Sequence, residues 1–321
     1  MTHHAFGDAG GGADASGPRF DLTVPSGGYG WWYVDAVSDD GMHGLTIIIM
    51  IGGVFSPYYG WAGYRDPYNH VGVNVALYGA GPNRWAFTER RRDTISQSQN
   101  QISIGPSSAV WDGKQLRIDI KERGAPLPRK VIGTVRLTPN WRTHEGHQLD
   151  HKGRHFWHPI APSSRVDVAF DHPKLAWSGS GYFDSNWGSE MLQDGFQYWD
   201  WCRSALTDGA AIYYDALDRD GQRNRFALHY DTQGSTHKTD CPASIPLTPG
   251  PIWRVKRSVP APEGYTPKTH LMLEDTPFYT RSHITARFDG EDVLAVHESL
   301  DLDRFSKPWV RCLLPFRMPR V

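Results

Sequence analysis

The stretch Leu116-Arg117-Ile118-Asp119-Ile120-Lys121 decides the fold class. Apolar and charged residues alternate in it with a period of two, so one face of an extended strand is buried and the other meets water. The segment from Val131 to Leu137 follows a similar pattern, and turn signals such as Trp111-Asp112-Gly113 separate the apolar runs. No stretch combines sustained helical periodicity with a cap at each end. The sequence therefore predicts an all-β, barrel-like fold.

Composition favours strands and turns and excludes several classes of protein. The 321 residues include 33 Gly and 23 Pro, and the net charge is −1, without the basic footprint of a nucleic-acid-binding protein. The most apolar segment, Leu45 to Val54, is far shorter than the ~20 residues that a membrane-spanning helix needs, and its β-branched run predicts a buried strand. Cys202, Cys241 and Cys312 are scattered and form no Cys-x-x-Cys pair, which indicates a reducing compartment.

A repeated pattern indicates two similar halves. In Trp31-Trp32-Tyr33 and in Trp199-Asp200-Trp201, the first Trp lies ten positions before a turn glycine, Gly41 or Gly209, and an apolar run follows. The start of the chain is rich in Gly, Ala, Asp and His and has no apolar stretch, so we expect neither a signal peptide nor order there. The expected organisation is a disordered tail at residues 1–18, a first domain at 19–165 and a second at 166–321.

Five histidines lie close together in the sequence and raise the question of a metal site. They are His144, His147, His151, His155 and His158, with spacings of 3, 4, 4 and 3. Gly146 and Gly153 interrupt any helix that would align them, and Pro159 ends it. No thiolate or second acidic cluster completes a site. We therefore predict no metal, and surface or hydrogen-bonded histidines are the simpler interpretation.

Two short segments carry the residues best suited to chemistry. In strands, His155 and Trp157 share one face, and so do Tyr182 and Asp184. Two such strands would bring an imidazole, an indole, a phenol and a carboxylic acid into one pocket. The alternative is structural, with Asp184 capping a turn and Trp157 filling the core. No nucleophile elbow, phosphate loop or dinucleotide fingerprint is present, so hydrolase, kinase and nicotinamide-dependent functions have no support.

The aromatic content of the chain is high, with 13 Trp, 14 Tyr and 13 Phe. Such residues fill β cores, and they also line pockets for large apolar ligands. We expect substrate contacts from the aromatic residues around and after the Tyr182–Asp184 pair. These are Trp187, Tyr198, Trp199 and Trp201.

Several separated motifs, taken in order, resemble the carotenoid 1,2-hydratase family, also called hydroxyneurosporene synthases. The resemblance covers about residues 20–315. The motifs are Gly30-Trp31-Trp32-Tyr33-Val34-Asp35-Ala36, Val54-Phe55-Ser56-Pro57-Tyr58-Tyr59, His155-Phe156-Trp157-His158-Pro159, Gly181-Tyr182-Phe183-Asp184 and Tyr198-Trp199-Asp200-Trp201. The resemblance implies two lipocalin-like β-barrel domains in tandem and a reaction in the carotenoid biosynthesis of phototrophic bacteria. It also implies that His155, Trp157, Tyr182 and Asp184 are the essential residues.

The implied reaction adds water to the terminal 1,2 double bond of acyclic carotenoids such as neurosporene and lycopene. We expect Asp184 to protonate the alkene, Trp157 to stabilise the tertiary carbocation, and His155 and Tyr182 to orient the acid and accept a proton from water. No cofactor is expected. Because the implied substrate is dissolved in the lipid bilayer, we expect the protein to be peripherally associated with the membrane surface on its cytoplasmic side. The alternatives are a cofactor-independent pericyclase or isomerase on the same scaffold, or a carotenoid- or lipid-binding carrier.

Overall fold

The computed structural model describes residues 17–79, 83–288 and 290–321. Strands dominate these residues, which confirms the all-β prediction. The strands are β1 Tyr29–Ser38, β2 His43–Ile51, β3 Val71–Gly79, β4 Arg84–Arg90, β5 Ile95–Ser98, β6 Gln101–Ile104, β7 Ser107–Trp111, β8 Leu116–Arg123, β9 Lys130–Pro139, β10 His147–Gln148, β11 His155–His172, β12 Leu175–Gly188, β13 Phe196–Leu206, β14 Gly209–Asp218, β15 Arg223–Asp231, β16 Thr236–Lys238, β17 Ser244–Leu247, β18 Arg257–Pro260, β19 Lys268–Asp275, β20 Tyr279–Phe288 and β21 Glu291–Asp301. The α-helices are α1 Pro57–Trp61, α2 Leu192–Gly195, α3 Leu302–Phe305 and α4 Pro308–Leu313.

The first sheet contains β1 to β12 in the order β4-β3-β2-β1-β12-β11-β9-β8-β7-β6-β5, with β10 paired to β11. It curls, so that β4 approaches β8 and β9. The curl encloses a core of aliphatic side chains that includes Ile47, Val75, Ile118, Val135 and Val168. The alternation that predicted β8 is realised here, because Leu116, Ile118 and Ile120 are buried while Arg117 and Lys121 are exposed.

The second sheet has the order β16-β15-β14-β13-β21-β20-β19. In both sheets the first strand lies between the second strand and the last strand, and the first four strands form an antiparallel meander. The Trp-rich segments of the predicted repeat are β1 and β13, which occupy the same place in this connectivity. The repeat seen in the sequence thus has a structural counterpart, and the separation into two tandem barrel domains stays a prediction.

The expected boundary at residues 165 and 166 falls within the strand pairing of the first sheet. That position lies inside β11, and β11 and β12 both pair with strands of the first sheet. The chain passes to the second sheet only between Gly188 and Phe196. Pro159 and Pro162 lie within β11, where register shifts in the pairing with β12 accommodate them.

The expected tail at 1–18 falls mostly on residues 1–16, which lie outside the described residues. Pro18 is buried and its carbonyl accepts a hydrogen bond of 2.7 Å from Trp32 Nε1, so the tail cannot extend to residue 18. The apolar segment at 45–54 forms β2, as predicted. Among the described helices, none is long and apolar enough to cross a membrane. The three cysteines are free.

The two faces of β1 meet two different environments. Trp32, Val34 and Ala36 point into the core of the first sheet. Trp31 and Tyr33 point the other way and pack with Trp199 and Trp201 of the second sheet. This outer face of the first sheet, together with the facing side of the second sheet, positions the candidate site.

Candidate active site

An aromatic cavity of about 490 Å³ lies between the outer face of the first sheet and the second sheet. Aromatic side chains from both sheets form its inner part: Trp31, Tyr33, Trp157, Trp199, Trp201 and Tyr214. The side chains of Asp184, Glu274 and Glu298 also line it. A mostly apolar wall with a few carboxyl groups is typical of a site that binds an apolar ligand and acts on one part of it.

Period-two alternation along β12 brings the polar residues of the site together. Tyr182, Asp184 and Asn186 are two residues apart and so share the outer face. Across the β1–β12 pair, Tyr33 lies opposite Asp184. On the other side, Trp157 of β11 lies opposite Asn186. The two strands expected to carry the four chemical residues are therefore neighbours.

Three donors surround the Asp184 carboxyl group. Tyr182 donates its hydroxyl proton to Oδ2 at 2.7 Å, and Trp157 donates its indole N–H to the same oxygen at 2.9 Å. The same indole N–H also reaches the Tyr182 hydroxyl at 3.2 Å. Asn186 Nδ2 lies 3.2 Å from Oδ1. The alternative in which Asp184 caps a turn does not hold, because Asp184 lies within β12 and its side chain faces the cavity.

Burial decides the protonation state of Asp184. Desolvation in the aromatic environment raises the pKa of this carboxyl group to about 8, although the hydrogen bonds from Tyr182 and Trp157 act in the opposite direction. The negative charges of Glu298 and Asp35 raise it further. A carboxyl group with such a pKa carries a proton at neutral pH. Asp184 is therefore an acid held in an apolar cavity.

The hydrogen bonds also indicate which oxygen carries this proton. Oδ2 accepts from both Tyr182 and Trp157, so it is the carbonyl oxygen of the neutral acid. The hydroxyl proton then lies on Oδ1, the oxygen next to Asn186. Asn186 lines the cavity together with Asp184. The acidic proton is thus on the oxygen that accepts only the longest of the three hydrogen bonds, the one from Asn186 at 3.2 Å.

A buried ionic network lies beside this acid and joins the two sheets. Asp35 of β1 pairs with Arg203 of β13 and, at 3.0 Å, with Arg281 of β20. Arg281 also pairs with Glu298, and the Tyr33 hydroxyl donates to Glu298 at 2.7 Å. The side chains of Asp35, Arg203 and Arg281 are almost fully buried. Because Glu298 lines the cavity, this network places a carboxylate near the inner aromatic residues.

His155 lies behind the cavity and does not line it. Its Nδ1 is 3.0 Å from the Tyr29 hydroxyl and its Nε2 is 3.3 Å from Glu190. Desolvation lowers the pKa of its imidazole. The ring packs against Phe196 and closely approaches Gly195. His155 therefore supports the strand that carries Trp157 and does not itself face the cavity.

The expected substrate-contacting aromatic residues divide into two pairs. Trp199 and Trp201 line the cavity, since they share one face of β13. Trp187 and Tyr198 do not line it. Trp187 follows Asn186 and so points to the opposite face of β12, where it stacks on Phe156 with ring centroids 5.6 Å apart. Strand alternation accounts for the placement of both pairs.

Sequence reasoning missed three residues of the site. Asn186 continues the period-two series of Tyr182 and Asp184, so alternation alone could have found it. Tyr33 belongs to a quoted motif, but its position opposite Asp184 depends on strand pairing. Glu298 has no local signal, because it reaches the cavity from the last strand of the second sheet.

The histidine-rich segment forms no helix. His147 lies on β10, and desolvation lowers the pKa of its imidazole to about 3. His158 Nε2 lies 3.1 Å from the backbone carbonyl of Thr143. No group of three or more His, Cys, Asp or Glu residues within the described ranges has the geometry of a metal site. The absence of a metal requirement remains a prediction.

Comparisons with known proteins show the family of this chain. The sequence model described as "Carotenoid hydratase CrtC" matches residues 47–321. An acyclic carotenoid 1,2-hydratase of Thiocapsa roseopersicina is 48% identical over 318 residues, covering 98% of this chain and 78% of that protein. Another, of Rubrivivax gelatinosus, is 47% identical over 313 residues, covering 94% of this chain and 76% of that protein. A crystal structure of kievitone hydratase from Nectria haematococca superposes with a TM-score of 0.57 at 11% identity, covering 89% of this chain and 93% of that one, which confirms the lipocalin-like fold alone.

Proposed function

The chain belongs to the carotenoid hydratase CrtC family, and from this premise we propose that it adds water to the terminal 1,2 double bond of acyclic carotenoids such as neurosporene and lycopene. The product is a tertiary alcohol at carbon 1. The observation that carries the proposal is the neutral carboxyl group of Asp184 in an aromatic cavity, with its pKa raised by desolvation to about 8. An unactivated alkene needs such an acid.

The first step is proton transfer from Asp184. The Oδ1 proton moves to carbon 2 of the substrate, whose π electrons form the new C–H bond, and positive charge remains on tertiary carbon 1. The Asp184 carboxylate formed in this step is stabilised by Tyr182 and Trp157, which both donate to Oδ2. These donors lower the cost of giving up the proton, while burial keeps the proton in place before the reaction.

The carbocation then needs an environment that tolerates positive charge. The ring faces of Trp157 and its neighbours offer cation–π stabilisation, worth about 2 kcal/mol or more for a desolvated cation. The Glu298 carboxylate adds a favourable negative charge to the same cavity. The network with Arg281 and Tyr33 holds Glu298 in place.

Water capture completes the reaction. A water molecule enters the cavity beside the substrate, on the side where Trp201 contributes a buried indole N–H that has no acceptor among the described residues. The oxygen of that water attacks carbon 1 and forms the C–O bond. One proton of the resulting oxonium returns to the Asp184 carboxylate, which restores the neutral acid. Protons and charge balance over the cycle, and no other reactant is consumed.

Tyr182 and His155, the other two expected residues, position the groups that carry out the reaction. Tyr182 orients Asp184 through its hydrogen bond of 2.7 Å. His155 positions β11 through Tyr29 and Glu190 and so holds Trp157 in place. It acts as a positioning residue, because its ring does not line the cavity.

The test is turnover without any added cofactor. Purified protein, dialysed against a chelator, is incubated with lycopene in detergent micelles prepared in H₂¹⁸O. We expect a hydroxylated product that carries one ¹⁸O atom. A rearranged product without added water would favour the isomerase alternative. Bound, unchanged lycopene would favour a carrier, and either outcome would refute the hydratase proposal.

The proposed location follows from the substrate. Acyclic carotenoids partition into the hydrocarbon core of a bilayer, so a protein that acts on them must reach the membrane. We propose peripheral association with the membrane on its cytoplasmic side. Membrane fractionation of cells that produce the protein tests this location.

A further inference from the structure

The segment from α3 to residue 321 forms the outer rim of the cavity. Inward-facing side chains of this rim segment, Val310 and Met318, are buried and line the cavity. Leu313 and Phe316 line it too, yet they are 42% and 69% exposed. The same short segment therefore closes one side of the cavity and presents apolar side chains to solvent.

Further exposed aromatic and aliphatic groups extend this apolar surface. Trp309 is 49% exposed and stacks on Trp253, with ring centroids 5.8 Å apart. Trp253 lines the cavity, and its neighbour Ile252 is 75% exposed. Trp61 of α1 is 61% exposed and packs against Tyr58, whose ring lies under Arg320 of the rim segment. An apolar rim around an apolar cavity is a feature of proteins that bind partners or membranes there.

The charge of the rim segment is one-sided, although the chain as a whole is close to neutral. Residues 304–321 contain five cationic side chains and no acidic one, against a net charge of −1 for all 321 residues. Arg304 and Arg320 pair with Asp301 and Glu89, so Lys307, Arg311 and Arg317 carry the excess. Lys307 and Arg317 are exposed. The nearest acidic residue on the same segment, Asp303, is occupied by Arg219. The rim therefore combines exposed Trp and Phe side chains with a local excess of positive charge.

We propose that the rim segment is a docking surface for an anionic lipid bilayer. This inference rests on the proposed function, which gives the protein a substrate that resides in the bilayer. Tryptophan and phenylalanine partition into the interfacial region of a bilayer, and lysine and arginine beside them attract anionic headgroups. Docked this way, the protein turns the opening of its cavity toward the acyl chains. An apolar substrate then passes from the bilayer to Asp184 without crossing water.

Vesicle co-sedimentation without carotenoid tests the proposal directly. The probes are vesicles of phosphatidylcholine alone and of phosphatidylcholine with phosphatidylglycerol, at low and high salt. We expect binding to the anionic vesicles that weakens with salt, and much weaker binding to the neutral ones. The double variant Lys307→Glu with Trp309→Ser should partition at least about tenfold more weakly, since it reverses one charge and removes one interfacial side chain.

A matched double variant controls for general changes in charge and polarity. Lys268→Glu with Leu294→Ser changes one exposed Lys and one 51% exposed apolar residue on β19 and β21. Leu294 precedes Leu300, a residue of the cavity wall, by six strand positions, roughly 20 Å. The control double should bind vesicles as the unmodified protein does. Thermal unfolding of both variants verifies that they fold.

Three results would overturn the inference. One is no binding of the unmodified protein to anionic vesicles, and another is equal weakening in the two double variants. The third is a concentration-dependent dimer that the Lys307→Glu, Trp309→Ser variant abolishes, without vesicle binding, because it would make the rim a contact between copies of the chain. Hydration of lycopene in detergent micelles is measured separately. Vesicle binding without turnover would sink the proposed function alone, and turnover without vesicle binding would sink this inference alone.

Discussion

At the level of single residues, the protonation state of Asp184 governs the proposed chemistry. An ordinary aspartic acid would have lost its proton at neutral pH. Burial in the aromatic cavity keeps it protonated, while Tyr182 and Trp157 stabilise the carboxylate that forms when the proton is given away. Burial thus stabilises the protonated form of Asp184, and the two hydrogen bonds stabilise its carboxylate form.

Replacing Asp184 by Asn should abolish hydration. The amide keeps the size of the side chain and a hydrogen-bond acceptor but has no acidic proton, so we expect a loss of roughly 10²–10⁴-fold in kcat. The measurement is product formation from lycopene, with thermal unfolding as the check on folding. Asp200→Asn is the matched control, because desolvation raises the pKa of Asp200 to about 7 but its carboxyl group bonds to Ser258 and faces away from the cavity. Near-normal turnover by Asp184→Asn would assign proton donation to another group.

The rate should also depend on pH with a defined sign. The acid works only when protonated, so kcat should be constant below the pKa of about 8 for Asp184 and fall about tenfold per pH unit above it. In Tyr182→Phe the carboxylate loses a donor that lowers this pKa. The alkaline limb of the pH–rate profile should therefore move to higher pH, and kcat should drop. A lower kcat without a shift of the alkaline limb would mean that Tyr182 contributes packing only.

At the level of elements, the site depends on two strands that face each other across the cavity. β12 carries Asp184 on the outer face of the first sheet, and β13 carries Trp199 and Trp201 on the facing side of the second sheet. The buried network of Asp35, Arg203 and Arg281 ties these sheets together. Ion pairs therefore help to hold the two sheets in place beside the cavity.

Breaking this network should destabilise the protein strongly. Asp35→Asn leaves two buried guanidinium groups without their shared carboxylate, which typically costs about 3–5 kcal/mol of unfolding free energy. Denaturant unfolding measures the change. The control is Asp39→Asn, whose partner Arg165 is half exposed, and there we expect little effect because solvent screens the pair. Equal effects of the two variants would show that burial does not decide the strength of the Asp35 pairs.

At the level of the whole molecule, buried histidines link stability to pH. Desolvation lowers the pKa of His147 and His297 to about 3 and that of His158 and His283 to about 4. Below about pH 6.5 the unfolded chain binds protons at these imidazoles, whereas the folded protein does not until pH 3–4. Their contribution to stability is thus present above the unfolded pKa and is lost as the pH falls through the folded values.

The thermal unfolding midpoint should therefore fall on acidification from pH 6.5 toward pH 4. The raised pKa values of Asp184 and Asp200 act in the opposite sense, because stability falls as the pH rises from about 4 to their folded values of about 8 and 7. His155, whose pKa is also lowered, joins the four imidazoles, and Glu274 and Asp194, whose pKa values are raised by desolvation, join the two acids. Five imidazoles then oppose four acids below pH 6.5 and only the acids act above it, so a maximum near pH 6.5 follows. Calorimetry across this range is the measurement. A midpoint that rises on acidification would contradict the assignment of neutral buried histidines.

The rim segment also acts at the level of the whole molecule, because it connects the cavity to the lipid bilayer. Its exposed apolar side chains and its excess of cations have no role in the chemistry at Asp184. They are explained if the protein works at a bilayer surface, and the vesicle experiment measures this separately from turnover.

The sequence by itself determined the strand class and the local pairing of residues. A period of two in Leu116–Lys121 can be satisfied only by a half-buried strand, and the same period places Tyr182 and Asp184 on one face. The same period places Asn186 on the face of Tyr182 and Asp184. It places Trp187 on the opposite face of β12, and Tyr198 on the face of β13 opposite to Trp199 and Trp201. Alternation alone fixes these three side-chain directions, whatever the aromatic content of the segment.

Only the tertiary structure decided which strands are neighbours and what each face meets. The expected boundary at 165 lies inside β11, because the pairing of β11 with β9 and β12 joins segments that are distant in sequence. His155 turned out to lie behind the cavity, since Tyr29 and Glu190 bind its ring. Glu298 reached the site from more than a hundred residues away, after Asp184 in the chain. The physical reason is that alternation is set by the geometry of one strand, whereas the neighbours of a side chain, and with them the pKa of Asp184, are set by contacts between strands distant in sequence.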